Sequence, residues 1–193
     1  MKNYIYLSVV VVMVFLVSCD NIKEAIEISF KTNIEAEFPV ISQKVMAIEL
    51  KSEKATNDVY GFIGGGTFSL FDIAELKKYM DNMTGIVAED GSVISLTGAV
   101  EGDKVLTLKM KYGIQITPGE LPVMNNVFSF SGELPAKNGV IEYISDSWSP
   151  ILIGALDANR DKVFAIVIEG TANYNVNSTV KIKIPVKVSA TPL

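Results

Sequence analysis

Histidine is absent from the 193 residues, and cysteine, arginine and tryptophan occur once each, as Cys19, Arg160 and Trp148. Without histidine the chain lacks the commonest general base, the commonest metal ligand and the usual pH switch. A lone arginine argues against bidentate clamps on phosphate or carboxylate as a main theme. The formal net charge of −5 leaves no basic patch for nucleic acid.

Several chemical motifs fail on particular residues. Gly61-Phe62-Ile63-Gly64-Gly65-Gly66 is followed by Thr67-Phe68-Ser69, not by the Gly-Lys-Ser/Thr of a phosphate loop. Its glycines read as a turn or a close backbone approach. Asp157-Ala158-Asn159-Arg160-Asp161 opens like a calcium loop, but Lys162 and Ile168 stand where glycine and a bidentate glutamate belong. No Gly-x-Ser-x-Gly elbow is present. Among Asp81, Glu89, Asp90, Asp146 and Asp157, no spacing singles out a glycosidase-type pair. The expectation is a non-enzyme with no metal and no cofactor.

What is present begins at the N-terminus. Lys2 gives a positive start, and Ile5–Val17 is apolar apart from Ser8. As a helix that run covers roughly 20 Å, short of the ~30 Å of a bilayer core and suited to a secretory signal. It ends in Leu16-Val17-Ser18-Cys19. These residues resemble the lipobox of bacterial lipoproteins, in which the cysteine is acylated and becomes the first residue after cleavage. The resemblance implies a signal peptide over 1–18, a lipid on Cys19 and a tether over 19–25. It also implies a place in the cell envelope, at the outer membrane on its periplasmic or surface face. Two or more acyl chains hold a protein stably where one does not.

The remainder, 26–193, reads as one β domain. Ile26, Ile28, Phe30, Ile34, Ala36 and Phe38 alternate with polar residues, which predicts a strand with one wet face that Pro39 ends or bends. Val180, Ile182, Ile184, Val186 and Val188 alternate with Lys181, Lys183, Pro185 and Lys187, which predicts an edge strand or a bulge. Further strands are expected near 43–50, 58–69, 92–100, 104–116, 127–132, 139–144 and 163–171, with hairpin turns at Asp90-Gly91 and Glu101-Gly102-Asp103. One helix is expected from an Asp72 cap through Ile73, Leu76, Met80 and Met83 to Gly85, and another from Ser149-Pro150 to about Asn159. Together these give an antiparallel β-sandwich of immunoglobulin-like architecture, with two short helices at crossovers. The lipobox, the central LFDIAELKKYMDN and the ending KIKIPVKVSATPL resemble small β-rich lipoproteins of Bacteroidetes-type bacteria. That resemblance implies no catalytic residues.

The functional expectation is a lipid-anchored envelope protein serving as a binding or structural module. Its partners would be the membrane through the anchor, and a protein, glycan or lipid ligand. Trp148 could contact such a partner if exposed, or pin the second helix if buried. The alternative is a carrier of a small apolar ligand in a cavity lined by Phe30, Phe68, Met110 and Phe128. An enzyme ranks third.

Overall fold

A computed structural model describes residues 27–43, 59–115 and 122–191. Cys19, the signal and tether segments, and most of the strand expected over 43–50 lie outside the described residues. Nine strands run in chain order: β1 (Ile28–Gln43), β2 (Tyr60–Phe68), β3 (Met83–Ala88), β4 (Val93–Thr97), β5 (Lys104–Gln115), β6 (Asn125–Pro135), β7 (Val140–Ile144), β8 (Val163–Ala172) and β9 (Asn177–Ala190). Two α-helices accompany them, α1 (Ala74–Lys77) and α2 (Ser149–Ala158). No helix among the described residues is long and apolar enough to cross a membrane.

The fold is mainly antiparallel β, but the hydrogen bonds join all nine strands into one sheet instead of the two packed sheets of the expected sandwich. The order is β6-β5-β8-β2-β1-β9-β4-β7, with β3 also on β9, and the sheet curls until it nearly closes as a barrel. At the closing seam β6 and β7 share no ladder. Aromatic rings bridge it: Tyr143 lies 4.8 Å from Phe128 and 5.2 Å from Phe130, ring centre to ring centre. Such contacts contribute about 0.5–1.5 kcal/mol each beyond area burial.

The lysine-rich β9 is not an edge. All 14 of its residues pair with β1, and its other side takes β4 and then β3. Pro185 is tolerated because that other side is interrupted there, between Lys183↔Val93 and Val186↔Ala88. Its carbonyl accepts from Glu89 N at 2.8 Å, so the missing N–H points into the same gap. Pro39 likewise does not end β1; the strand continues to Gln43, and its ladder with β2 covers only Val40–Gln43.

Both expected hairpins are corrected by the same topology. β3 and β4 lie end to end along β9, so Asp90-Gly91 is an excursion between two halves of one edge, with Gly91 at φ 96°. Asp146 Oδ1 holds it by accepting from Gly91 N (2.7 Å) and Ser92 N (3.1 Å). The turn at Glu101-Gly102 joins β4 to β5, which are not neighbours.

The first expected helix is broken up. Ser69, not Asp72, forms the cap, with Asp72 returning its side chain to Ser69 N at 2.9 Å around a 3-10 turn over Leu70–Asp72. After α1 and a second 3-10 turn, Met83 and Gly85 enter β3, because pairing with β9 buries Met83 and Ile86. In α2, Trp148 is the cap position and Ser149 the first helical residue, so the expected serine cap does not form. Ser149 Oγ instead donates to Asp146 O at 3.4 Å.

The only arginine locks α2 to β3. Arg160 donates to Met83 O, to Thr84 O (3.1 Å), and through Nε and Nη2 to Asp157 Oδ1 (3.0 and 2.8 Å). The same Asp157 oxygen accepts from Ile86 N at 3.0 Å. Five planar donors make this fan possible, and lysine could not reproduce it. Arg160→Lys should lower stability to urea by about 1–3 kcal/mol; an unchanged midpoint would show the lock to be dispensable.

Inside the barrel, glycines make room for rings. A Cβ at Gly170 would stand 2.2 Å from Thr107 O and 2.6 Å from the Phe62 ring, and one at Gly66 would touch the Phe38 ring at 3.5 Å. Gly170→Ala should cost about 1–3 kcal/mol as overpacking, measured by thermal unfolding. Gly154→Ala, with nothing within 4 Å of a Cβ, should stabilise its helix by up to about 1 kcal/mol. Equal effects at the two positions would contradict the packing just described.

Candidate functional site

The outer wall of the barrel carries a trough of about 510 Å³ across four strands, β2, β8, β5 and β6. Antiparallel pairing builds it from two outward rows of side chains. One row is Ile63, Glu169, Lys109 and Ser129, joined by Ile63↔Glu169, Glu169↔Lys109 and Lys109↔Ser129. The other is Gly61, Thr171 and Thr107, joined by Gly61↔Thr171 and Thr171↔Thr107. The row between them, Phe62, Gly170, Leu108 and Phe130, turns its side chains toward the interior. Short residues in the second row leave the wall concave.

The polar groups in this trough are held in place. Thr107 Oγ1 and Thr171 Oγ1 hydrogen-bond each other at 2.8 Å. Lys111 and Lys109 both approach Glu169 Oε1, at 2.8 and 3.7 Å. The lysines thus converge on one oxygen of the carboxylate. The hydrogen bond from Lys111, with the charge of both lysines, holds the Glu169 carboxyl below its ordinary value despite partial burial. At one end of the barrel, burial, with Asp103 nearby, pushes the Tyr174 hydroxyl up to about 12.

Three other recesses are less organised. One of about 520 Å³ lies over the turn Lys137-Asn138-Gly139. Two smaller ones, of about 400 and 230 Å³, flank β1 beside Glu35 and Asp72. Of their carboxylates, Glu75 is engaged by Thr32 Oγ1 (2.8 Å), Asp72 by Ser69 N and Glu35 by Lys181 (3.1 Å).

Trp148 is fully buried, with its ring centre 6.1 Å from that of Phe128 and no partner for Nε1 among the described residues. It pins the start of α2 and offers no exposed face. Of the four residues expected to line a ligand cavity, Phe30 packs on Tyr79 (4.8 Å), Phe68 on Phe164 (6.0 Å), Met110 is fully buried, and Phe128 stacks on Tyr143. Phe68 borders the 230 Å³ recess; the other three line none of the four recesses. Among the carboxylates, Asp157 serves the Arg160 lock, Asp146 the Gly91 excursion, and Glu89 pairs with Lys31 at 2.8 Å.

Sequence reasoning did not find the trough. Its members come from four strands, and no spacing along the chain links Thr107 to Thr171 or Lys109 to Glu169. The glycine run 61–66 was the only member with a signal, as a place of close backbone approach.

No family model matches the chain, and no curated protein matches it. A solved structure titled Desmodium yellow mottle tymovirus is similar over 85% of this chain and 90% of that chain, at 8% identity and a TM-score of 0.31. A likeness that low carries no argument about fold or function.

The lowered Glu169 pKa predicts a pH-dependent contribution to stability. A carboxyl whose folded pKa is depressed stabilises the fold above its unfolded value, near 4.5, and loses that contribution as pH falls through the folded value. Thermal unfolding of Glu169→Gln should therefore fall below wild type at pH 7 and converge with it in acid. A constant difference across pH would rule out the ion pair as the source.

Proposed function

We propose that this chain is a lipid-anchored lipoprotein of the cell envelope, at the outer membrane on its periplasmic or surface face, whose barrel is a binding module. The observation that carries the binding role is the trough on the barrel wall. There a carboxylate oxygen, a hydroxyl pair and an exposed aliphatic side chain converge on one open surface. About 510 Å³ is within the size range of small-ligand sites. The reading is of a protein that holds a ligand and does not turn it over, since no histidine is available anywhere in the chain.

The anchor reading rests on Leu16-Val17-Ser18-Cys19 following the apolar run. Acyl chains on Cys19 would contribute roughly 0.8 kcal/mol per buried methylene, and more than one chain makes the attachment stable. The nine Cα–Cα steps from Cys19 to Ile28, where β1 begins, span at most about 30 Å when extended. The barrel therefore stands close to the bilayer while its wall remains open to ligands.

Membrane partition of wild type and Cys19→Ala tests the anchor. Wild type should enter the detergent phase with the mass of added acyl chains, and the variant should remain in the aqueous phase. Tight membrane association of Cys19→Ala would overturn the anchor. Protease added to intact cells then separates a surface location, where the protein is cut, from a periplasmic one, where it survives until the outer membrane is opened.

A further inference from the structure

We infer that the trough takes a neutral oligosaccharide, an assignment that rests on the binding role just proposed and names its ligand class. Three features of the wall lead there. First, the strands beneath the trough are paired to one another by ladders, β2 to β8, β8 to β5 and β5 to β6. Between these strands the backbone groups are already spent, and along the trough, among the described residues, only the outer side of β6, at the seam, lacks a ladder, so an extended peptide has no strand edge to pair with on the trough floor. Recognition must come from side chains.

Second, the side chains available suit a polyol. Glu169 is an ionised acceptor, one-third exposed, with lone pairs beyond those its lysines use, able to take hydroxyl donors. The Thr107–Thr171 pair uses only one of its two hydroxyl hydrogens internally, which leaves one donor and several lone pairs facing outward. Ser129 is exposed and adds a further hydroxyl. Sugar hydroxyls both donate and accept, so each of these groups finds its complement.

Third, Ile63 is 44% exposed, which places an apolar contact on the trough lining, and Gly61, buried two residues before it, adds no side chain there. The C–H face of a sugar ring can lie there without meeting a bulky side chain. The charges favour a neutral ligand. The trough lining itself carries one cation, Lys109, and one carboxylate, Glu169, whose charges balance.

The test is amide chemical-shift mapping on the full mature chain in detergent micelles, titrated with cellobiose, maltose, lactose and chitobiose. Isolated disaccharides of this kind should bind with Kd of order 1 mM, and the titration should run to about ten times that value. The expected result is that at least one of them moves the amides of Gly61, Thr107, Lys109, Glu169 and Thr171 well beyond the rest of the barrel. Glu169→Gln and Thr171→Val should each weaken that binding about tenfold, while the remaining spectrum stays that of the folded chain. If no disaccharide moves these amides preferentially, or if both variants bind as wild type does, the assignment is overturned. The anchor is read separately by Cys19→Ala partition, so failure of the sugar reading and failure of the envelope reading give different patterns.

Discussion

Strand β9 is hydrogen-bonded on both sides along most of its length, and the rest of the barrel is arranged around that double pairing. On one side its 14 residues run against β1, which places Lys31 opposite Lys187, Glu35 opposite Lys183 and Glu37 opposite Lys181 on the wet face. The Lys31–Glu89 contact at 2.8 Å relieves the one like-charge pair, and Lys181 adds a diagonal contact to Glu35 at 3.1 Å. On the other side β3 and β4 share the strand between them. A slip of one residue would turn Val180, Ile182, Ile184, Val186 and Val188 outward and bring Lys181, Lys183 and Lys187 inward, so the register is strongly held. Pro185 sits where the second ladder is interrupted between β4 and β3, while its pairing with β1 continues opposite Asn33.

With β9 and β1 fixed, the sheet extends in both directions until its ends meet, and they meet without a ladder. The seam between β6 and β7 is closed by Phe128, Phe130, Tyr143 and Trp148, a cluster of rings in place of backbone hydrogen bonds. Arg160 and Asp157 fasten α2 across β3. The single tryptophan and the single arginine are thus both structural, one packing the seam and one satisfying backbone carbonyls at the end of a helix. Scarce residue types are often read as functional; here burial and hydrogen bonding account for them.

The trough arises on the wall that runs from β2 to the seam strand β6, where Gly170 faces inward and Phe62 fills the space it leaves. Overhead, the outward row is short at Gly61, Thr107 and Thr171. Core packing and the surface concavity are therefore linked through the same strands. The Lys111–Glu169 pair, half-exposed and screened by solvent, contributes little to stability. Its larger effect is to keep the carboxylate ionised and held in place.

Period-two alternation in 26–38 and 180–188 identified β1 and β9 and their buried faces correctly, because side-chain parity is a local property of an extended backbone. Six further strands fell at expected positions for the same reason, and β3 was the miss. Its residues carry helical spacing, and only pairing with β9 overrode it. Edge or centre, hairpin or excursion, and one sheet or two were not legible, since each depends on which strands become neighbours. The Ser69 cap and the Trp148 helix start also differed by a few residues from the expected ones, as hydrogen-bond partners decide between adjacent cap candidates. By itself the sequence determined the β class, the wet and dry faces of the outer strands, and the lipobox resemblance at Cys19, all of which are patterns along the chain. Tertiary structure alone decided the barrel closure, the burial of Trp148 and the meeting of Thr107, Lys109, Thr171 and Glu169. Those residues lie up to 64 positions apart, and only the registers of β5, β8 and their neighbours bring them onto one surface.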